Sequence, residues 1–468
     1  MSFYQFGPWR PDLPDRAELD DSGTLRLIEA TNVVPDSDSY QPQPEAAVVT
    51  DALSSTCQGT FCTRDDSGNV NWFAGTATGI SRISSTTPIW EEVGSGYALT
   101  EEDKWSFEKY GNQVYAATPT NDLQFITLSS GSTFSNVAGN PPRFRHIAII
   151  RNFLVGAGTA EEPQRVQWSG IDNPQSWTLA AVTQADFQDL LGPGGWNQGI
   201  VVGLAGSDAV VFQERAVWRM MYVGTPFIFQ FDTVENARGA VSSGSIVQSA
   251  GFAFYISSDG FYVFDGATSS PIGHGKIDEF FFRDADSSEF KKISSASDPN
   301  RSLVMWSYQS VNSGIPDKII VYNWNVQEWS IINSECDIIF RGIRRHGSPI
   351  GDSIFSGFDK LHKGVVFDGS NKSAVVSTAE YQLNKSGRCL VTQVYPIVET
   401  GLPNVEIIHR SNQSMSLSSE ASSPVNQFGF CQTRTDDRLM RFRSSMNSGT
   451  TWSKWKGFKL NFTPTGSV

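Results

Sequence analysis

Two short stretches have residue types that could hold a phosphate or a cation. Ile272-Gly273-His274-Gly275-Lys276 places glycines beside a lysine, but it lacks the spacing and the Ser or Thr of a phosphate-binding loop. Asp65-Asp66-Ser67-Gly68-Asn69 offers the oxygen ligands that Ca²⁺ prefers, yet it is far shorter than a calcium-binding loop. We therefore predict a turn before a short helix at the first stretch and an exposed turn between strands at the second.

Histidines and cysteines, the usual ligands of transition metals, are few and scattered. The histidines are too far apart for a helical metal pair, and the odd number of cysteines lacks the paired spacing of a zinc site. We therefore predict buried free thiols. The residues concerned are His146, His274, His346, His362 and His409, and Cys57, Cys62, Cys336, Cys389 and Cys431.

One carboxyl-terminal stretch resembles a motif of glycan-active propellers. Ser445-Met446-Asn447-Ser448-Gly449-Thr450-Thr451-Trp452 is similar to the aspartate box of sialidases, with Asn447 in place of the aspartate. That box is a structural turn, and it occurs here once. A glycosidase also needs two carboxylates across a cleft, and sialidase-like chemistry needs clustered arginines. Nothing in the sequence points to either, so we predict a protein that is not an enzyme, with no catalytic, cofactor-binding or metal-binding residues.

The elements that would position any site are predicted to be β-strands. From Gly199 to Gly266, short apolar runs alternate with turns of Gly, Asp, Ser and Asn, which is typical of hairpins. Residues 210–212 should pair with 217–223, and residues 252–256 with 261–264. The aromatic residues predicted to form the core between repeated units are Trp218, Phe229, Phe231, Phe254 and Phe261.

Two aromatic residues of the same region stand on or beside loops. They belong to Gly194-Gly195-Trp196-Asn197 and to Thr225-Pro226-Phe227. If these rings are exposed, they would anchor a binding partner; if they are buried, they cover the core.

Similar strand-turn-strand units recur between about residues 55 and 380. The spacing between turns, roughly 35 to 65 residues, spans the length of a four-stranded propeller blade. About six or seven units would close a ring and leave few exposed strand edges. We predict a β-propeller, with a pair of stacked sandwiches as the competing fold. Helix content should be low, with short helices at Thr183–Leu191 and Ile277–Phe282.

The sequence predicts three parts. Residues 1–50 hold six prolines, which remove backbone donors and disfavour helix. We expect an extended arm there that contributes to the platform and to neighbour contacts, with at most an edge strand over Leu25–Ala30. The alternative is a loop that packs on its own domain. Residues 51–380 form the propeller. In residues 381–468 the strands alternate apolar and polar residues, as in a smaller antiparallel β-sandwich, the platform domain.

Charge and hydropathy limit the partners. The 468 residues carry a formal net charge of −13, without the basic surface needed to bind DNA or an anionic membrane tightly. The first residues lack the pattern of a secretory signal, and no later stretch approaches ~18 consecutive apolar residues. We expect a protein made in a cytoplasm, without membrane insertion.

Several stretches, taken in order along the chain, resemble one family. They are Gly7-Pro8-Trp9-Arg10-Pro11-Asp12-Leu13, Asn32-Val33-Val34-Pro35 with Tyr40-Gln41-Pro42, Trp168-Ser169-Gly170-Ile171-Asp172 with Trp177, Val211-Phe212-Gln213-Glu214 with Arg219-Met220 and Phe229-Gln230-Phe231-Asp232, Asp259-Gly260-Phe261, Pro271-Ile272-Gly273, Arg441-Phe442-Arg443 and Thr451-Trp452. They look like the tail hub or nozzle proteins of short-tailed bacteriophages (podoviruses), including the packaged-DNA-stabilising tail proteins. The similarity covers most of the chain.

The resemblance implies a structural protein of the virion tail that is assembled in the host cytoplasm. Six copies would form a ring below the portal and adaptor, which continues the DNA channel and closes it until genome ejection. The implied partners are the other copies of a homo-hexamer, the adaptor (head-to-tail connector) protein, and tail fibre, tailspike or needle proteins. Double-stranded DNA would pass through the lumen without specific binding, and we expect acidic side chains to face it. The alternatives are a host-glycan-binding or sialidase-like propeller of a phage tail and a cellular scaffold.

Overall fold

Strand pairing divides the chain into small sheets and one larger sheet. The computed structural model describes residues 2–18, 23–83, 88–344, 353–384 and 387–467. Six sheets have four strands each, and the larger sheet has fifteen. One short α-helix and two 3-10 helices are the helical elements of these ranges. The predicted all-β class with a β-propeller and a smaller antiparallel domain is confirmed.

The first five strands lie in the amino-terminal region. They are β1 (Ser2–Trp9), β2 (Thr24–Thr31), β3 (Val33–Pro35), β4 (Tyr40–Pro42) and β5 (Ala47–Ala52).

Seven groups of consecutive strands follow, which we number as blades. Blade 1 contains β6 (Gly59–Arg64), β7 (Val70–Gly75), β8 (Gly79–Ile83) and β9 (Glu91–Ser95); blade 2 contains β10 (Ser106–Tyr110), β11 (Gln113–Ala117), β12 (Gln124–Thr127) and β13 (Ser135–Asn136); blade 3 contains β14 (Phe144–Ile150), β15 (Phe153–Thr159), β16 (Arg165–Trp168) and β17 (Asp186–Asp189); blade 4 contains β18 (Asn197–Val202), β19 (Ala209–Gln213), β20 (Val217–Gly224) and β21 (Ile228–Glu235). Blade 5 contains β22 (Val247–Ser249), β23 (Phe252–Ser257), β24 (Gly260–Phe264) and β25 (Ser269–Pro271); blade 6 contains β26 (Ser294–Asp298), β27 (Leu303–Tyr308), β28 (Lys318–Asn323) and β29 (Glu328–Asn333); blade 7 contains β30 (Cys336–Ile343), β31 (Ser353–Asp359) and β32 (Lys363–Val366).

The helical elements lie at two connections between blades, and the remaining strands follow blade 7. A 3-10 helix (Ser243–Ser245) precedes blade 5, and α1 (Asp278–Asp284) and a second 3-10 helix (Ser287–Lys292) precede blade 6. The last strands are β33 (Ala374–Thr378), β34 (Gly387–Glu399), β35 (Asn404–Arg410), β36 (Ser418–Ala421), β37 (Cys431–Asp437), β38 (Leu439–Met446) and β39 (Ser453–Ser467).

The blades form a ring in which the first strand of each blade lies innermost. These inner strands contact one another from blade to blade, as β6 does with β10 and with β30. Blade 7 takes its outer strand from the amino-terminal region, because β5 pairs antiparallel with β32. Six of the blades are separate four-stranded sheets. Blade 6 (β26–β29) is also antiparallel, but it belongs to the larger sheet, because β29 pairs with β2 at Ile331 and Thr31. Because β5 pairs with β32, the outer edge of β32 is not left exposed.

Aromatic and branched residues fill the spaces between blades, as the sequence predicted. The Phe229 ring of blade 4 packs 5.1 Å from Trp168 of blade 3. The Phe261 ring of blade 5 lies 5.2 Å from Trp306 and 5.1 Å from Trp329 of blade 6. Both predicted hairpins are confirmed, one by the pairing of β19 with β20 and the other by the pairing of β23 with β24.

The platform is a sandwich built from both ends of the chain. Its first layer has the order β1-β39-β34-β37, and its second contains β33, β38, β35 and β36. β2 connects the layers, because it pairs in parallel with β1 and antiparallel with β33. One hydrophobic core lies between the layers and continues into blades 5 and 6. The amino-terminal strands are therefore part of the platform sheets.

Two secondary-structure predictions were wrong. The predicted helix Thr183–Leu191 is replaced by a turn and β17, because residues 186–189 pair with β16. The Arg165 guanidinium binds the Asp189 carboxylate at 2.7 Å across that pair, which favours the strand. The predicted edge strand at Leu25–Ala30 is instead the interior strand β2. The helix predicted at Ile277–Phe282 is confirmed by α1.

No helix among the described residues has both the length and the apolar character to cross a membrane.

Candidate binding site at the mouth of the propeller ring

A polar cavity of about 540 Å³ lies where several inner strands begin. Its walls come from the segments that lead into β10 and blade 5, from the first residues of β14 and β18, and from the 3-10 helix before β26. Residues at the start of five blades therefore meet around one space at the centre of the ring. We name this space the mouth cavity. Its volume is in the range of ligand clefts, roughly 300–1,000 Å³.

Arg145 and Trp196 form the most distinctive pair in the mouth cavity. The Arg145 guanidinium carbon lies 5.1 Å from the centre of the Trp196 ring, within the range of a cation–π contact. Its nearest carboxylate is that of Asp103, at 3.9 Å, which is beyond hydrogen-bond distance. The Arg145 Nε is buried without a partner, and no hydrogen bond of this guanidinium occurs in the described ranges. Trp196 is 47% exposed.

The loop that carries Trp196 is held tightly against blade 4. The Glu214 backbone N–H donates to the Trp196 carbonyl at 3.2 Å, and the Arg215 N–H donates to the Gly194 carbonyl at 2.8 Å. Gly195 has a φ of +81°, and a Cβ there would collide with the Glu214 carboxylate. Glycine is therefore required before Trp196, because the backbone is left-handed and in close contact.

Asn197 and His146 form a second rigid part of the wall. The buried Asn197 amide donates to the Arg165 carbonyl and accepts from the Gln213 side chain, both at 3.1 Å. Burial lowers the pKa of His146 to about 4, with a further decrease from the nearby Arg145 charge. His146 is therefore neutral at pH 7 and adds no charge to the mouth cavity.

The acidic side chains of the mouth cavity differ in their partners. The Asp103 carboxylate accepts hydrogen bonds from the Thr100 N–H at 3.1 Å and from its hydroxyl at 2.8 Å. Glu102 forms an ion pair with Lys291 of the 3-10 helix before β26. This ion pair joins the segment before blade 2 to the segment before blade 6. Among the described residues, the Glu214 carboxylate makes no hydrogen bond or ion pair.

Lys104 lies between the mouth cavity and a neighbouring cavity of about 380 Å³. Burial lowers its pKa, while the Cys57 and Asp337 side chains oppose this effect through charge. Within the described part of the chain, its ammonium has no hydrogen-bond or ion-pair partner. The mouth cavity thus contains a cation whose hydrogen-bonding capacity is unused, Arg145, while the charged groups nearest to Lys104 lie on the side of the neighbouring cavity. That arrangement favours binding of an anion.

The motifs that the sequence singled out lie elsewhere. Asp65 accepts hydrogen bonds from the Ser67 and Asn69 backbone N–H groups at 2.9 Å, so its exposed turn is satisfied without calcium. The stretch Ile272–Lys276 precedes α1, as predicted. The stretch Ser445–Trp452 joins β38 to β39 in the platform, with Trp452 buried.

The histidines and cysteines do not converge in the described ranges. His362 and His409 contact the Asp337 and Asp437 carboxylates at 2.5 and 2.8 Å, and His346 lies outside the described residues. Four cysteines are buried free thiols, as predicted, and Cys62 is only partly buried. In these ranges, no three His, Cys, Asp or Glu side chains are grouped closely enough to hold a metal.

Sequence reasoning missed most of the mouth cavity. Lys104 precedes blade 2, Arg145 lies in blade 3 and Glu214 lies in blade 4, and the sequence pattern marked none of them as a contact residue. The available signal was Trp196, an aromatic residue that follows two glycines beside a loop. It was identified as a candidate contact residue but not linked to Arg145.

No protein-family model and no curated protein matches this chain. Solved structures do match. A chain of the mitotic checkpoint complex is 8% identical, with a TM-score of 0.44 over 71% of this chain and 98% of its own. BBS1N, solved in complex with ARL6DN, is 9% identical, with a TM-score of 0.42 over 71% and 97%. The computationally designed Ika8 protein is 11% identical, with a TM-score of 0.39 over 70% and 99%. Likenesses this distant carry no argument about function.

Proposed function

We propose that this chain is a ring-forming structural subunit of a short-tailed bacteriophage tail, a hub or nozzle protein. The resemblance along the sequence motivates the proposal. The structural observation that supports it best is the continuous core that joins the platform to blades 5 and 6. A subunit that surrounds a DNA channel has to keep its modules in a fixed relation, and a shared core provides that rigidity.

Contacts of the first strand strengthen this junction. The Trp9 ring packs edge-on against Phe280 of α1, with the ring centres 5.2 Å apart. The Arg10 guanidinium binds both oxygens of the Glu328 carboxylate, at 2.7 and 3.1 Å. The Asp12 carboxylate accepts from the Glu279 and Phe280 N–H groups at the start of α1, at 3.1 and 2.8 Å. The end of β1 and the residues directly after it thereby attach the platform to the propeller by apolar, ionic and capping contacts.

The platform also offers a surface that a second copy of the chain could cover. Phe428 is 73% exposed and stacks on Phe430, which packs against Tyr395 at 5.0 Å. Met415 and Leu417 are exposed on the segment before β36. In the described ranges, β36 and β37 each pair on one side alone, so both are sheet edges. Exposed aromatic groups beside sheet edges are typical of subunit contacts.

Native mass spectrometry and electron microscopy of the purified protein test the proposal. We expect a species of six copies and a ring in projection. The variant Phe428→Asp should raise the dissociation constant of the ring about 30-fold, because an aromatic anchor contributes about 2 kcal/mol or more. The control is Leu361→Asp, since Leu361 is 58% exposed on the turn between β31 and β32 of blade 7, and it should leave assembly unchanged.

A protein that stays monomeric at every concentration, with and without the adaptor protein, would contradict the proposal. In the proposed ring, the adaptor protein binds one end, and tail fibre, tailspike or needle proteins attach to the assembly. Proteomics of purified virions checks the proposed location in the tail.

A further inference from the structure

We propose that the mouth cavity is a binding site for an anionic sugar, a pyranose that carries a carboxylate or a phosphate. The inference rests on the side chains of the cavity and is independent of the proposed ring.

The anionic group is assigned from Arg145, a cation of the mouth cavity without a hydrogen-bond partner. Arg145 presents a planar fork of N–H donors, and its closest carboxylate is 3.9 Å away. Lys104 borders the same cavity. Glu102 and Asp103 have partners of their own, Lys291 and Thr100. An incoming carboxylate or phosphate would therefore give the guanidinium the charge-assisted hydrogen bonds that the protein does not supply.

The sugar ring is assigned from Trp196 and from the polar groups around it. The indole is half exposed at the rim of the mouth cavity, which leaves an apolar surface against which the C–H face of a pyranose can pack. Ser242 also lines the cavity, and its hydroxyl is buried without a partner. The free Glu214 carboxylate is a strong acceptor for sugar hydroxyls. A simple inorganic anion would use Arg145 but would gain nothing from the apolar face of Trp196.

The site is preformed. The backbone hydrogen bonds from blade 4 hold the loop of Trp196, and the cation–π contact orients Arg145 against its ring. A binding site that is ordered before the ligand arrives loses little conformational entropy on binding.

Titration calorimetry and saturation-transfer NMR on the full chain test the assignment. The probes are glucuronate, N-acetylneuraminate and glucose 6-phosphate, with methyl glucoside and inorganic phosphate as comparisons. We expect at least one anionic sugar to bind, with methyl glucoside and inorganic phosphate at least about tenfold weaker. The anionic sugar that binds identifies the source of the charge.

Variants separate the roles of the two principal residues. Arg145→Met should weaken the anionic sugar at least about tenfold, because it removes a charge-assisted hydrogen bond. Arg145→Lys should recover part of the affinity, since lysine keeps the charge but not the fork. Trp196→Ala should weaken the sugar by a larger factor than it weakens inorganic phosphate, because the sugar loses its packing surface as well as the orientation of Arg145. If Arg145→Met does not fold, Arg145→Lys and Trp196→Ala still test the site.

The matched control is Arg151→Met. The Arg151 guanidinium also stacks on an aromatic ring, 4.8 Å from the centre of Tyr222, but it is satisfied by Asp208 at 2.8 Å. This variant should bind like the wild type. Failure of all three anionic sugars to bind would overturn the proposal, as would equal binding of methyl glucoside. If inorganic phosphate binds as tightly as the sugars, the cavity is a simple anion site. That result would refute the role of Trp196.

Discussion

At the residue scale, Glu108 is the carboxylate whose environment has the clearest consequence for stability. It lies on the inner strand β10, on the same face as Ser106, whose hydroxyl accepts a hydrogen bond from Ile147 of blade 3 at 3.1 Å. Burial raises the pKa of Glu108 to about 7, although a hydrogen bond with the Lys109 backbone opposes this effect. Ionising this carboxylate inside the ring is therefore unfavourable.

We predict that Glu108→Gln stabilises the protein at alkaline pH. Between about pH 4.5 and 7, the folded wild type keeps a proton that the unfolded chain has lost, so its stability falls as the pH rises. The variant has no such proton. It should be about 2 kcal/mol more stable than the wild type at pH 8 and equal to it near pH 4.

Urea unfolding of both proteins across this pH range measures the difference. His146 titrates equally in both proteins, so its effect cancels in the comparison. A difference between the two proteins that does not change with pH would show that Glu108 is not protonated in the fold.

At the scale of elements, β1 lies between β2 and β39 and pairs with both. The proline-rich amino-terminal segment therefore supplies an interior strand of the platform. Its side chains alternate between the core and solvent. Phe6 is 4% exposed, with its ring 5.8 Å from Trp455 and 5.5 Å from Phe458, whereas Phe3 is 44% exposed.

We predict that Phe6→Ala lowers the free energy of unfolding by about 3–5 kcal/mol, because it opens a cavity in a well-packed core. Phe3→Ala, on the same strand, should lower it by less than ~1 kcal/mol. Chemical unfolding followed by circular dichroism compares the two variants. Equal effects of the two substitutions would mean that β1 does not occupy its place in the platform.

Elements were predictable wherever the local pattern was strong. The hairpins of blades 4 and 5 were predicted from apolar runs separated by turn residues. The segment at residues 183–191 was predicted as a helix, because the pattern of its apolar residues does not reveal that β16 supplies a pairing partner. Leu25–Ala30 was predicted as an edge strand because nearby prolines masked its partners. Tertiary pairing overrode local preference in both segments.

At the scale of the whole molecule, charge is distributed unevenly along the chain. Residues 1–46 contain three Lys and Arg against nine Asp and Glu, whereas residues 374–468 contain ten Lys and Arg against six Asp and Glu. Both segments build the platform. Where the platform lines the lumen of the proposed ring, an acidic wall therefore requires the amino-terminal strands to face the DNA more closely than the carboxyl-terminal strands do.

We predict that the assembled ring does not retain short duplex DNA at about 0.15 M salt, because an acidic wall releases no counterions from the phosphates. An electrophoretic mobility assay and a cryo-EM map of the ring check this prediction. Retention of the duplex, or a lumen lined mainly by Lys and Arg, would refute it.

The sequence by itself determined the all-β class, most strands and turns, and the aromatic core between blades, because alternation and turn residues are local signals. The tertiary structure alone decided that β5 closes blade 7, that β1 and β39 pair in one layer, and that Lys104, Arg145 and Trp196 border one cavity. These features depend on contacts between residues that are far apart in the chain. Local patterns hold no information about which distant segments meet.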